Sequence, residues 1–97
     1  MPAYIIVDID ITDPATYEEY KKLTPGSLIP FEGKFIVRGG ETEVLEGNWQ
    51  PNRVVVLEFP TVTQAKAWWG SAEYEVAKAI RQRAAHTNMI VVEGFEG

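Results

Sequence analysis

The sequence predicts a single α+β domain of the ferredoxin-like type, a βαββαβ sandwich with an antiparallel sheet, on three observations. Strand-like and helix-like segments follow one another as strand, helix, strand, strand, helix, strand. The chain has 97 residues, which is one domain spanning 1–97 and not two. Several strands are apolar on both sides, while the helical segments suffice to cover only one face of one sheet.

The elements are justified in order. Ala3 to Ile11 reads as the first strand, with Ala3, Ile5, Val7, Ile9 and Ile11 on one side and Tyr4, Ile6, Asp8 and Asp10 on the other. Thr12-Asp13-Pro14 starts a helix: a side-chain oxygen caps free N–H groups, and proline suits the first turn. Tyr17, Tyr20 and Leu23 are spaced to share its buried face. Thr24-Pro25-Gly26 interrupts that helix, and Ser27 to Phe31 forms a further turn, stopped by Pro30 and released at Gly33. Lys34 to Arg38 is the second strand, ended by Gly39-Gly40, and Glu43 to Glu46 is a short extended piece. Gly47 to Asn52 is a loop. Arg53 to Phe59 is the third strand, with Val54 and Val56 on one side and Val55, Leu57 and Phe59 on the other. Thr61 to Gln64 matches a capping box and opens a helix to Trp69. Gly70 breaks it, and Ser71 caps another from Ala72 to about Ala85. Asn88 to Phe95 is the last strand. No repeat, low-complexity tract or linker interrupts this order.

Composition narrows the function classes. Forty-five per cent hydrophobic residues mark an ordinary globular chain. The net charge is −5 and the basic residues are scattered, so the electrostatic footprint for nucleic acid or anionic membrane is missing. The longest apolar runs are too short to span a bilayer, and the N-terminus lacks the pattern of a secretory signal. With no cysteine, disulfides and thiolate chemistry are excluded, and a cytoplasmic location is expected.

The two-sided strands call for a cover. Helices dry one face, and the other would leave several hundred Å² of aliphatic surface wet, more than soluble monomers carry. A homodimer through that sheet face is the expected solution, because closed two-fold pairs dominate among oligomers. Asp8, Glu58 and Glu93 each interrupt an apolar run. A buried carboxylate needs a partner, and Arg38, Arg53 and Arg81 are the candidates, unless these acids lie in solvent at strand ends.

Taken together, Arg38-Gly39-Gly40, Leu45-Glu46-Gly47-x-Trp49-x-Pro51-x-Arg53, Glu58-Phe59-Pro60, Trp68-Trp69-x-Ser71-x-x-Tyr74 and Arg81 resemble the family named domain of unknown function 1330, in the dimeric α/β-barrel superfamily. The similarity runs from Tyr4 to Gly94 and departs at Pro30-Phe31-Glu32-Gly33, where a smoother helix end and a glycine pair belong. It implies a ferredoxin-like protomer whose sheet packs on its twin to close a barrel. It implies no agreed activity, although the same fold carries cofactor-independent monooxygenases and muconolactone-isomerase-like enzymes.

Candidate chemistry stands beside plain structural roles. Arg38 precedes two glycines, so its fork is placed to hold a carboxylate-bearing molecule or to pair with Glu46. Trp69, Ser71, Tyr74 and Arg81 are candidates for a binding pocket, or for packing and capping. Glu58 and His86 are the candidate proton-handling groups, His86 being expected near the end of the last helix. One histidine, no cysteine and no paired acids at ligand spacing give no metal site, and no phosphate loop or other cofactor motif is present. The expected function is a cofactor-independent enzyme acting on a small, partly apolar or anionic molecule. The alternative is a non-catalytic ligand-binding or structural dimer.

Overall fold

The computed structural model describes residues 1–96. β1 (Ala3–Ile11) leads to α1 (Pro14–Leu28) and a single 3-10 turn (Ile29–Phe31). β2 (Lys34–Arg38) and β3 (Arg53–Phe59) follow, separated by the segment 39–52. α2 (Val62–Trp69), α3 (Ala72–Ala84) and β4 (Ala85–Glu93) complete the chain. The four strands form one open antiparallel sheet in the order β2-β3-β1-β4, the ferredoxin-like arrangement expected from the sequence.

Alternation sorts the side chains as the sequence indicated. Ala3, Ile5, Val7 and Ile9 of β1 and Val55, Leu57 and Phe59 of β3 are buried beneath the helices. Trp68 and Tyr74 close that core from α2 and α3 and are both fully buried, with ring centroids 3.9 Å apart in a stacked arrangement. On the opposite face Ile6 pairs with Val56 and Ile90, and Tyr4 with Glu58 and Val92. Ile90 and Val92 are exposed there, while Tyr4, Ile6, Val54 and Val56 are half-buried.

Three boundaries differ from the sequence expectation. α1 continues through Pro25 to Leu28 instead of breaking at Thr24. Proline removes one N–H, which frees the Lys21 carbonyl one turn back, and the Arg38 guanidinium donates to that carbonyl at 2.9 Å. Thr24 and Ser27 send their hydroxyls to the carbonyls of Tyr20 and Thr24, so the helix stays satisfied. The buried stripe runs Tyr17, Tyr20, Thr24, Ser27, and Leu23 turns outward, because two helical turns from Tyr17 end at Thr24.

The second difference is at Glu43 to Glu46, which forms no strand, and residues 40–50 are exposed. This arm is pinned to the sheet by Asp8, whose carboxylate accepts from the Trp49 indole N–H (3.1 Å) and the Asn52 amide (2.9 Å). The third is the start of β4, which follows α3 directly at Ala85 and ends at Glu93 rather than running from Asn88 to Phe95. The amides of Thr12 and Asp13 both donate to the Ala84 carbonyl (2.8 and 3.0 Å). That corner ends the helix, and Ala85 pairs at once with Ile11.

The caps form where expected. Asp13 accepts from the Thr16 amide, Thr61 from the Gln64 amide and Ser71 from the Tyr74 amide. At the departure from the family pattern, Glu32 adopts a left-handed conformation and the Gly33 amide returns to the Leu28 carbonyl at 3.1 Å. Gly33 is required there, since a Cβ would lie 2.6 Å from the Phe59 ring.

Candidate functional site

A cavity of about 460 Å³ opens between α2, α3 and the β4 edge of the sheet. Ile5, Met89, Ile90, Val91, Ala65 and Trp69 give it apolar walls, and Arg81, Lys66, Gln82 and Thr87 supply the polar groups. The lining thus combines apolar walls with few polar anchors.

Arg81 is the central feature. It occupies the last turn of α3 and is only 5% exposed. Its Nε donates to the Tyr74 hydroxyl at 3.2 Å. Tyr74 in turn shares a 2.8 Å hydrogen bond with the Tyr20 hydroxyl. Among the described residues no carboxylate is in ion-pair contact with Arg81. A buried guanidinium without a counter-charge is costly unless something else neutralises it. Burial, reinforced by the Tyr74 hydroxyl beside it, raises the Tyr20 pKa strongly, so this phenol stays neutral at physiological pH.

The surrounding shell is rigid. The Trp68 indole N–H donates to the Ser27 hydroxyl at 3.0 Å, tying α2 to α1. Lys78 lies 3.8 Å from the centroid of the Trp69 ring and donates to the Trp69 carbonyl at 2.9 Å. The Thr87 hydroxyl oxygen is buried at the cavity wall with no hydrogen-bond partner.

Of the sequence-selected residues, the structure brings Trp69 and Arg81 to the cavity, with Tyr74 directly behind Arg81. Ser71 does not line it: its hydroxyl accepts from the Tyr74 amide and donates to the Trp68 carbonyl at 2.7 Å, so it caps α3. Arg38 lies away from this cavity, on a second, much smaller space against α1. It does not pair with Glu46 but with the Lys21 carbonyl. Glu58 and His86 are on the sheet face turned away from the helices. Glu58 pairs with Lys34 at 3.0 Å, which holds its carboxyl below the ordinary glutamate range. His86 lies two residues past the end of α3, exposed on β4 opposite Asp10. The strand carboxylates therefore find no arginine: Asp8 takes N–H donors from the arm, Glu58 takes Lys34, and Glu93 ends β4 in solvent.

Sequence reasoning missed Thr87, Met89, Lys66 and Gln82 in the lining. Thr87 and Met89 were legible in principle: they share the helix-facing parity of β4 once the strand is begun at Ala85. Lys66 and Gln82 carried no such signal. Among the described residues no group of three potential ligands is placed to hold a metal ion, and no helix is long and apolar enough to cross a membrane.

The family described as domain of unknown function (DUF1330) matches residues 2–95. The chain belongs to that family. This DUF1330 protein also shares its fold with solved structures. One is a protein of unknown function from Rhodopseudomonas palustris, with a TM-score of 0.78 at 17% identity over 99% of this chain and 84% of the other. A dimeric ferredoxin-like protein of unknown function from Jannaschia gives 0.72 at 11% identity, covering 97% and 100%. SnoaB, a cofactor-independent oxygenase from Streptomyces nogalater, gives 0.67 at 9% identity, covering 99% and 95%. At such identities the likeness is one of fold. No curated protein matches the chain.

Proposed function

We propose that this DUF1330 protein binds a small organic anion with an apolar body in the cavity between α2, α3 and β4. The observation that carries this reading is Arg81: a buried cation with no carboxylate in contact among the described residues, at the wall of an apolar cavity of about 460 Å³. A ligand carboxylate supplies the missing charge and is recognised by the planar fork, and the aliphatic walls and Trp69 take its body. The lining holds no carboxylate and no imidazole, so the protein offers no general base of near-neutral pKa there. That favours binding over proton-transfer catalysis, with Glu58 and His86 outside the site.

Cofactor-independent catalysis on the same anion is the second reading. It is favoured by the Tyr20–Tyr74–Arg81 hydrogen-bond chain reaching the cavity and by the shared fold with a cofactor-independent oxygenase.

We also propose that the outer sheet face is covered by a second copy of the chain. The domain is flat, measuring 35 × 31 × 16 Å, a shape that offers a broad face to a partner. Tyr4, Ile6, Val56, Ile90 and Val92 give that face an apolar centre. Val56→Asp is expected to convert a dimer to a monomer in sedimentation experiments.

Titration calorimetry with aromatic carboxylates and their neutral amides tests the binding reading. Acids are expected to bind at least about tenfold tighter than amides, with the difference lost in Arg81→Met and partly kept in Arg81→Lys, since a charge-assisted hydrogen bond is worth about 1.5–3 kcal/mol. Equal binding of acid and amide by the native protein overturns it. Chemical change in the bound acid, followed by mass spectrometry, selects the second reading.

A further inference from the structure

We propose that Arg38 and Arg53 form a second oxyanion site, on the α1 side of the sheet and separate from the Arg81 cavity. Both guanidinium groups line a narrow cleft between α1, β2 and β3, with Tyr17 and Phe35 in its walls. Met89 lines both this cleft and the larger cavity, so it stands as a partition between them.

The chain carries 14 acidic residues against 9 Lys and Arg, yet among the described residues no carboxylate is in ion-pair contact with Arg38 or Arg53. Glu41 and Glu43, the acids closest in sequence to Arg38, lie on the exposed arm with Glu46. The Arg53 Nε–H is buried and has no hydrogen-bond partner. For Arg53 a structural ion pair predicts an acid and a solvated surface arginine predicts a wet Nε, and neither is found among the described residues; Arg38 lies exposed to solvent beside it.

Contacts moor both forks, Arg38 at the solvent-exposed rim and Arg53 further in. Arg38 uses Nη2 on the Lys21 carbonyl and lies over the Phe35 ring at 4.3 Å, which leaves most of its five donors unspent. Arg53 lies over the Tyr17 ring at 5.8 Å. Gly39, at φ 72°, leaves the room Arg53 occupies, since a Cβ there would collide with the guanidinium. Donors held in place before binding lose less entropy when an anion arrives.

Space sets the ligand class. The cleft holds about 20 Å³, room for a water-sized group. It therefore admits an oxygen of an anionic head and not a ligand body, which stays toward solvent. A carboxylate or a phosphate group shares this chemistry.

The test is a titration of ¹⁵N-labelled full-length protein, at ionic strength held constant with sodium chloride, with sodium phosphate in one arm and sodium acetate in the other. The arginine Nε–H and backbone signals are read together. The Arg53 Nε–H and the Gly39 amide are expected to shift and saturate together, with a midpoint independent of any change at the Arg81 Nε–H. Arg38→Gln and Arg53→Lys are each expected to weaken saturation by about tenfold, one charge-assisted hydrogen bond, and Arg81→Met to leave it unchanged. Tighter saturation by phosphate identifies a phosphate-bearing ligand, and tighter saturation by acetate a carboxylate. Linear shifts without saturation in both arms overturn the site, as does saturation unaltered in both the Arg38 and Arg53 variants. Because Arg81→Met is read in the same spectra, this site and the larger cavity stand or fall separately.

Discussion

On the sheet face turned away from the helices, Asp8 and Glu58 have their partners in hand. Asp8 accepts two N–H groups from the arm, and Glu58 holds Lys34 at 3.0 Å. On the helix-facing side Arg38, Arg53 and Arg81 touch no carboxylate among the described residues. The first pattern is scaffolding, because each group is satisfied by its own chain. The second leaves positive charge beside two spaces lined by aromatic and aliphatic side chains. In a chain of net charge −5, such an imbalance needs an incoming anion or a cost in stability.

The contrast is sharpened first on the helix side, where the packing is tightest. Trp68→Ala removes the ring that stacks on Tyr74 and packs against Phe59, and is expected to cost about 3–5 kcal/mol in denaturant unfolding. A loss under about 1 kcal/mol would mean that the core beneath the cavity is loose rather than a rigid wall.

Tyr74→Phe is the next largest. It strips the hydroxyl shared by Tyr20 and Arg81 while keeping the ring, and about 1–3 kcal/mol is expected from leaving buried donors unpaired. If part of that loss returns when a cavity ligand is added, Arg81 is being compensated by the anion.

Asp8→Ala tests the satisfied side. Two hydrogen bonds to the arm are lost, with an expected cost of about 1 kcal/mol or less at this half-exposed position. Faster amide exchange in residues 40–52, with binding to the cavity unaltered, would keep the two faces independent.

The smallest effect is Lys34→Met. Lys34 lowers the Glu58 pKa, so Glu58 contributes stability above the ordinary glutamate range that is lost as pH falls through its folded-state value. The variant is expected to raise the Glu58 pKa in an NMR titration and to flatten the acid limb of the stability profile. An unmoved pKa would show that the ion pair is not what holds it down.

Much of this was legible in the residues. Alternation in RVVVLEF placed Val55, Leu57 and Phe59 opposite Val54 and Val56, because successive strand side chains must diverge. Asp13, Thr61 and Ser71 were legible as caps, since free N–H groups at helix starts select short oxygen-bearing side chains. What escaped the sequence was set by contacts distant along the chain. Nothing local shows that Pro25 leaves α1 intact, because the compensating donor comes from β2. The α3–β4 junction depends on two amides from the β1–α1 corner, so helix-favouring alanines misled at the boundary. The sequence offers the arginines as partners for Asp8, Glu58 and Glu93, or solvent at the strand ends; Glu93 is in solvent, and strand parity turns Asp8 and Glu58 away from the arginines.

Pro25 itself carries a lasting consequence. By withholding a single hydrogen from the Lys21 carbonyl, it hands that oxygen to a side chain from another layer of the fold. Restoring an ordinary amide at position 25 gives Arg38 a competitor for its mooring. The two positions are therefore expected to drift together as lineages diverge, the ring and the guanidinium being kept or surrendered as a pair.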